Sequence, residues 1–85
     1  MDWNNKQAVL TAVSNNGNEL KYASPELRAD REVVLAAVSN FGRALQCSPE
    51  LQADREVVLT AVNNDIKALK YASPELRVKF RNKTR

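Results

Sequence analysis

Chemistry in this chain of 85 residues would have to come from carboxylates, one thiol and a set of cations, because the sequence contains no histidine. Without an imidazole, neither a Ser-His nor a Cys-His nucleophile can be built. One cysteine and no histidine also exclude a zinc site of the usual kind. The two glycines are isolated, so no glycine-rich loop can cradle a phosphate group. We therefore predict that the protein is not an enzyme and has no catalytic, cofactor-binding or metal-binding residues.

The carboxylates that could serve as acid and base lie in two matching triplets, Asp30-Arg31-Glu32 and Asp54-Arg55-Glu56. Each triplet opens a helical pattern, where acidic side chains accept hydrogen bonds from the first amides and complement the helix dipole. We interpret them as caps and surface residues rather than as a general acid and base. For the thiol of Cys47, a small buried apolar role fits better than a reactive one.

A basic tail, residues 77–85, is the next candidate for binding chemistry. Its cations alternate with uncharged residues, and they are Arg77, Lys79, Arg81, Lys83 and Arg85. An extended tail would direct all five to one side as a ladder for phosphate groups, with Phe80 available to stack on a base. The alternatives are a solubilising, frayed terminus, and a Phe80 that packs on the last repeat while Trp3 covers the other end. Nucleic-acid binding by these cations and Phe80 is therefore one hypothesis.

The secondary-structure elements that would position these residues belong to a unit that occurs three times in the sequence. The phrase SPEL occurs three times, and so does a phrase VLTAV or VLAAV, at a spacing of 24 or 25 residues. A fixed period of this length is typical of repeat arrays, whose units bury apolar faces against their neighbours. The sequence predicts one domain, 1–85, with repeats at about 5–29, 30–53 and 54–78 before the tail.

The central unit shows why the pattern favours helices. Asp30 is a good N-cap, and Gly42 follows the helix where a left-handed residue is common. The apolar stripe between them, at helical spacing, comprises Val34, Ala37, Val38 and Phe41. A second short helix is expected over Arg43 to Cys47, and Ser48 then caps a third turn that begins at a proline. We predict an all-α array with two short helices and a capped turn in each unit.

The three copies differ at defined places. The central unit is one residue shorter than the others. The third unit has Ile66 where the first and second have Gly17 and Gly42, so we expect its helix end to differ or to carry strain. The identical parts supply caps and core, which leaves the differing parts as the candidates for function.

The differing parts form a variable ridge at residues 15–18, 39–47 and 63–67. Within it, Phe41 could fill a gap in the shortened unit, or it could project beside Arg43 as an interface anchor. Aromatic residues and arginine are enriched where binding energy is concentrated. The candidate partner-binding residues are Phe41, Arg43, Gln46 and Lys67.

Composition and charge narrow the class of protein. At 44% hydrophobic and 27% charged residues, the chain resembles an ordinary soluble globular domain. Residues 1–76 carry eight basic and ten acidic side chains, so the net charge of +3 originates in the tail. No apolar run approaches the roughly 20 residues of a membrane span, and the polar N-terminus lacks the pattern of a signal peptide. The lone Cys47 allows no intrachain disulfide, which favours a cytoplasmic location in the producing cell or in a host cell.

The phrases DREVVLAAVSN and ALKYASPELR resemble the repeat of a family catalogued as a domain of unknown function, number four-one-one-six. The resemblance covers roughly residues 6–77. It implies an α-helical tandem repeat of the kind found in bacteria, protists and some viruses, and it implies no activity. In size and lack of chemistry the chain is also similar in kind to phage-encoded inhibitors. These include anti-CRISPR proteins, which block RNA-guided nucleases by occupying a surface.

We therefore expect a non-enzymatic module that binds a protein partner through the variable ridge. In a narrower form of this hypothesis the module is an inhibitor that occupies its partner's surface, such as an anti-CRISPR protein. Two alternatives stay open, namely nucleic-acid binding through the tail and a structural or oligomerising role. We expect neither a membrane nor a cofactor as a partner.

Overall fold

The computed structural model describes the backbone of residues 2–83 and the side chains of residues 2–80. Over these residues the fold is all-α, as predicted, with 78% helix and no strand. The α-helices are α1 Lys6–Asn15, α2 Pro25–Arg28, α3 Arg31–Asn40, α4 Arg55–Asn64 and α5 Pro74–Lys83. The 3₁₀ helices are η1 Gly17–Tyr22, η2 Gly42–Cys47, η3 Pro49–Leu51 and η4 Ile66–Tyr71. None of these helices has the length and apolar character needed to cross a membrane.

The helices form two layers. The long helices α1, α3 and α4 pack side by side in one layer, and η1, η2 and η4 pack side by side in the other, which we call the 3₁₀ layer. In the first two units the 3₁₀ helix also contacts the long helix of the following unit, so η1 touches α3 and η2 touches α4. The core between the layers is made of small and branched apolar side chains, including Val9, Val34, Ala37, Val38, Leu45, Val57 and Val58.

The long helices begin at the caps that the sequence predicts. The side chain of Asn5 accepts a hydrogen bond from the amide of Ala8, and that of Asp54 accepts one from the amide of Val57. Asp30 accepts from two first-turn amides. Because these side chains satisfy amides that the helix leaves unpaired, they fix where each long helix starts.

The glycines allow close packing rather than a left-handed helix end, so our prediction for Gly42 is wrong. No residue of the described backbone has a positive φ. A Cβ added to Gly17 would lie 2.2 Å from the carbonyl oxygen of Ala37, and one added to Gly42 would lie 2.3 Å from that of Ala61. Both carbonyl groups belong to the long helix of the next unit. Glycine is needed at these positions because that helix passes so close to them.

The expectation that the helix end at Ile66 differs from the others or carries strain is also wrong. The residue that ends the long helix has a φ of −151° at Asn16, −145° at Phe41 and −152° at Asp65, so the third unit ends its helix much as the others do. Ile66 is 51% exposed, and within the described residues no helix equivalent to α3 or α4 follows η4. A side chain is tolerated there because the close approach is missing.

At each of the two junctions between units, one asparagine side chain forms hydrogen bonds with the preceding unit. The Oδ1 atom of Asn40 accepts a hydrogen bond from the amide of Gly17 at 2.7 Å, and its Nδ2 atom donates to the carbonyl oxygen of Val13 at 2.7 Å. Asn64 accepts in the same way from the amide of Gly42 at 2.7 Å. These partly buried bonds join polar groups at the glycine contact, where leaving an amide unpaired would be costly.

The shortened central unit lacks the cap that we predicted at Ser48. Ser24 accepts a hydrogen bond from the amide of Leu27, whereas Ser48 makes no such bond and its Oγ atom is buried without a partner. The backbone at Ser48 has φ −132° and ψ 70°, against −60° and 156° at Ser24. With one residue fewer, the chain does not reach the conformation in which the side chain can cap.

The third unit ends in a long helix instead of a short one. Val78 and Lys79 stand where the first unit has Ala29 and Asp30, so the capping aspartate is absent and α5 continues through this point. Phe80 is only 1% exposed and packs into the core. It therefore covers the end of the core, as one of our alternatives predicts, and is not available to stack on a base.

Candidate functional site

The candidate site is the exposed edge of the 3₁₀ layer. Residues three apart in a 3₁₀ helix share one side, because the helix has three residues per turn. The exposed pairs on η1, η2 and η4 are Asn18 and Lys21, Arg43 and Gln46, and Lys67 and Lys70. Since the three helices pack side by side, roughly 8–10 Å apart, these pairs form one continuous surface. We call these six residues the 3₁₀ edge.

Three of the four predicted partner-binding residues lie on this edge, and the fourth lies beneath it. Arg43, Gln46 and Lys67 are exposed, whereas Phe41 is half-buried and packs against the core. The guanidinium group of Arg43 lies 5.4 Å from the centre of the Phe41 ring. Phe41 thus both fills space in the central unit and supports Arg43 from below.

Arg43 is held in place from two sides. Its Nε atom lies 3.1 Å from Oδ2 of Asp65, which belongs to the next unit, while the ring of Phe41 lies against its guanidinium group. An exposed ion pair of this kind adds little to stability. It does restrict the rotamers of a long side chain, so less conformational entropy is lost when Arg43 contacts a partner.

The 3₁₀ edge is basic. It carries four cations, and two more, Arg28 and Arg77, lie at its margin. Arg28 donates a hydrogen bond to the carbonyl oxygen of Lys21 at 3.5 Å, and Arg77 lines the same groove as Lys70. Among the described side chains, only Arg43 of these six cations has a carboxylate within ion-pair distance. The positive charge of this surface is therefore largely unneutralised by the protein itself.

The acidic triplets lie elsewhere and are used to join the units. Lys6 lies 3.1 Å from Oδ2 of Asp30 and 2.9 Å from Oε1 of Glu32. Arg31 repeats this arrangement one unit later, at 2.8 Å from Oδ2 of Asp54 and in contact with Glu56. These carboxylates cap helices and pair with cations of the preceding unit, which agrees with their interpretation as structural groups.

Hydrogen bonds hold the carboxylates of Asp30 and Asp54 in the ionised form. The bond from Arg31, together with those from first-turn amides, lowers the pKa of Asp54 despite an opposing effect of burial. At Asp30 burial is the largest single influence and acts to raise the pKa, but the bonds from Lys6 and from the amide of Val33 outweigh it. A carboxyl group with a lowered pKa is a poor proton donor at neutral pH.

Asp54→Asn should separate the role of the cap from that of the charge. The amide oxygen of Asn can still cap α4, as Asn5 does in α1, but the ion pair with Arg31 is lost. Because solvent screens this half-exposed pair, we expect a loss of only about 0.5–1 kcal/mol at neutral pH. The pKa of Asp54 in the folded state lies below its ordinary value. The charged side chain therefore contributes its full stability at pH values above the ordinary pKa, and this contribution is lost as the pH falls through the folded-state pKa.

The measurement is urea unfolding followed by circular dichroism between about pH 7 and pH 2, across the ordinary titration range of aspartate. The difference between the wild type and Asp54→Asn should vanish towards the acid end. Glu50→Gln, at an exposed residue outside the described ion pairs, serves as the control for a lost carboxylate. A difference that stays constant with pH would show that the charge of Asp54 contributes nothing.

Cys47 is half-buried, and burial raises the pKa of its thiol against the weaker opposing influence of Arg28 and Lys21. A raised pKa leaves little thiolate at neutral pH, so the thiol is a weak nucleophile. Within the described part of the chain, no three cysteine, aspartate or glutamate side chains come together in a group that could hold a metal ion.

The basic tail does not form an extended ladder in its described part. Residues 74–83 are helical, and neighbouring residues of an α-helix are turned by about 100°, so Arg77 and Lys79 point to different sides. The extended conformation on which the ladder hypothesis depends is therefore not present in this part of the tail, because no cap interrupts α5. Both Arg77 and Lys79 are exposed, while the side chains of Arg81, Lys83 and Arg85 lie outside the described residues.

The continuation of α5 creates a groove that our sequence analysis missed. It runs between η4 and α5 and is lined by Leu69, Lys70, Pro74, Arg77 and Val78. Val78 is 58% exposed although it is apolar. The replacement of Ala29-Asp30 by Val78-Lys79 is the sequence signal that could have revealed this groove, since it removes the N-cap that would have ended the short helix.

Comparison with known proteins identifies a family but no characterised relative. A family profile described as "Domain of unknown function (DUF4116)" matches the chain twice, over residues 5–49 and 30–77. The two matches overlap and together span most of the chain, in agreement with the resemblance of the repeated phrases. No curated protein and no solved structure gives a match.

Proposed function

This chain belongs to the DUF4116 family of unknown function, and we propose that it is a non-enzymatic protein-binding module whose contact surface is the 3₁₀ edge. The main support is the contrast between the buried and exposed positions of the three units. The buried valines Val9, Val34 and Val58 are identical at equivalent positions. Packing between units fixes those positions, whereas exposed ones are free to match a partner.

The exposed positions of the 3₁₀ edge vary between units in a way that packing does not require. Asn18, Arg43 and Lys67 occupy equivalent positions, each following the first residue of its 3₁₀ helix. Each is exposed to solvent, whereas the small residues beside them, Gly17, Ala44 and Ala68, are buried. A surface in which the framework is constant and the exposed groups differ is the arrangement by which repeat arrays present binding surfaces.

Arg43 is the residue on which we expect binding to depend most. It lies on the middle 3₁₀ helix, between η1 and η4, and is held between Phe41 and Asp65. Residues that dominate the binding energy are concentrated near the centre of an interface, and arginine is enriched among them. Gln46 on the same helix and Lys67 on the next one would extend the contact on both sides.

The test is a binding comparison with matched variants. A partner captured from the native host is titrated with three proteins. The first is the wild type, the second is the edge variant Arg43→Ala with Lys67→Ala, and the third is the control variant Arg55→Ala with Lys79→Ala. Both double variants remove two exposed cations, but only the first pair lies on the 3₁₀ edge. We expect the edge variant to lose about 30-fold in affinity and the control to bind as the wild type does.

Circular dichroism of all three proteins establishes that the fold is intact. Equal affinity of the edge variant and the wild type would contradict the proposal, as would an equal loss in both variants. The inhibitory role, with an anti-CRISPR protein as its example, and the cytoplasmic location are narrower predictions of this same proposal. Nucleic-acid binding through the tail and an oligomerising role stay as predicted alternatives.

A further inference from the structure

We propose that the groove between η4 and α5 receives an apolar side chain of an acidic peptide segment that belongs to the partner protein. This inference rests on the proposed function, because it assigns a chemistry and a place to the partner that the 3₁₀ edge would bind. The occupant is defined by two features of the groove, its exposed apolar side chains and the cations at its margin.

The apolar part of the groove is open to solvent. Leu69, Pro74 and Val78 form its walls. Ile66 lies three residues before Leu69, on the same side of η4, and is 51% exposed, so the apolar strip extends towards the 3₁₀ edge. Large apolar side chains that stay exposed next to one another mark a surface that another molecule covers.

The margin of the groove is positive. Lys70 and Arg77 line it directly, and Lys67 follows Ile66 on η4. Among the described side chains, no carboxylate lies within ion-pair distance of these three cations. Asp65, the acidic residue nearest to Lys67 in the sequence, pairs with Arg43. Glu75, the one nearest to Arg77, lines a neighbouring groove that shares Val78. An occupant with carboxylates on both sides of an apolar side chain would complement this arrangement.

A nucleic acid would complement the groove less well, because Tyr71, the aromatic ring beside Lys70, is half-buried and already contacts a cation. The ammonium group of Lys70 lies 5.2 Å from the centre of this ring. At the other end of the layer, Tyr22 packs on Trp3 with ring centres 5.4 Å apart and has Lys21 over its ring. Binding of single strands relies on free aromatic faces for stacking, and phosphates would leave the apolar strip exposed.

The experiment is a selection from a random-peptide library displayed on phage, with the immobilised whole chain as the target. We expect the enriched peptides to carry aspartate or glutamate on both sides of a leucine, isoleucine, valine or phenylalanine. A labelled copy of the most enriched peptide is then titrated with four proteins. These are the wild type, Lys70→Glu with Arg77→Glu, Val78→Ser, and Arg55→Glu with Lys79→Glu as a control of equal charge change.

The affinity should fall at least about tenfold for the Lys70–Arg77 variant and for Val78→Ser, and should be unchanged for the control. Enriched peptides that are not acidic, or that bind the Lys70–Arg77 variant as well as the wild type, would overturn the inference. Arg43→Ala is titrated as a fifth protein, and if such peptides lose binding only to this variant, the proposed function stands and the assignment of the groove fails.

A labelled single-stranded RNA provides the remaining comparison. In one outcome no peptide is enriched, and RNA binds in a way that depends on Lys70 and Arg77 but not on Val78. This outcome would overturn both the inference and the proposed function in favour of nucleic-acid binding. No enriched peptide and no bound RNA would overturn the inference alone. The proposed function would then be decided by the comparison of Arg43 and Lys67 variants on the captured partner.

Discussion

Gly17→Ala is expected to destabilise the protein by about 3–4 kcal/mol, although alanine is a better helix former than glycine. The new Cβ would lie 2.2 Å from the carbonyl oxygen of Ala37 and 2.8 Å from the Cβ of Phe41. Neither atom is the flexible end of a side chain, so α3 must move away from η1. That movement also breaks the 2.7 Å hydrogen bond from the amide of Gly17 to Asn40.

The matched control is Ile66→Ala at the equivalent position of the third unit. Ile66 is exposed and within the described residues no helix equivalent to α3 or α4 follows η4, so we expect a change within about 0.5–1 kcal/mol. Urea unfolding followed by circular dichroism measures both variants. Because the whole fold is worth only about 4–13 kcal/mol at this chain length, the loss at Gly17 should appear as a large shift of the midpoint. Equal effects at the two positions would contradict the close packing of the units.

Phe80→Ala is expected to cost about 3–5 kcal/mol, because it removes a large aromatic side chain from the core. Phe80 is 1% exposed and packs against the buried cluster at the C-terminal end of the array. Without its ring, α5 would keep only its contacts with η4 and α4 through smaller side chains, and the apolar residues beneath would be open to water.

Val78→Ala on the same helix is the control for Phe80→Ala. Val78 is 58% exposed, so its loss should change the free energy of unfolding by less than about 0.5 kcal/mol. Thermal and urea unfolding of both variants give the comparison. If Phe80→Ala unfolds at the same urea concentration as the wild type, Phe80 does not close the core and its role would have to be sought at the surface.

The repeat pattern breaks in the third unit, where two sequence changes coincide. Ile66 replaces the glycine that would let a further long helix approach, and Lys79 replaces the aspartate that would cap that helix. Phe80 then takes the position of Arg31, which in the central unit pairs with carboxylates of the next unit. Both changes remove a contact between units and leave, at this end of the fold, the groove between η4 and α5.

Some parts of the candidate site could be predicted and others could not. Arg43, Gln46 and Lys67 were found because exposed variable positions can be identified by comparing the copies within the sequence. The support of Arg43 by Asp65 was missed, because the two residues lie in different units. The groove at Val78 was missed because its walls come from η4 and α5, whose relative placement depends on the packing of Phe80.

The sequence by itself determined the helices, because their causes lie within a few residues of one another. Asp30 and Asp54 cap the helices that follow them, and the apolar spacing of the repeated phrase specifies which side is buried. The all-α class and the exclusion of imidazole chemistry therefore needed no coordinates. Asn5 caps α1 through the same local arrangement.

Only the tertiary structure decided what the glycines, the asparagines and the last aromatic residue do. Gly17 and Asn40 are 23 residues apart, and their hydrogen bond exists only because α1 and α3 pack side by side. From the sequence, the equivalent Gly42 suggested a left-handed helix end, because a glycine that follows a helix looks the same whether it adopts a left-handed conformation or allows close packing. Contacts between units settle such ambiguities, because they depend on which backbone atoms come close in space and not on neighbours along the chain.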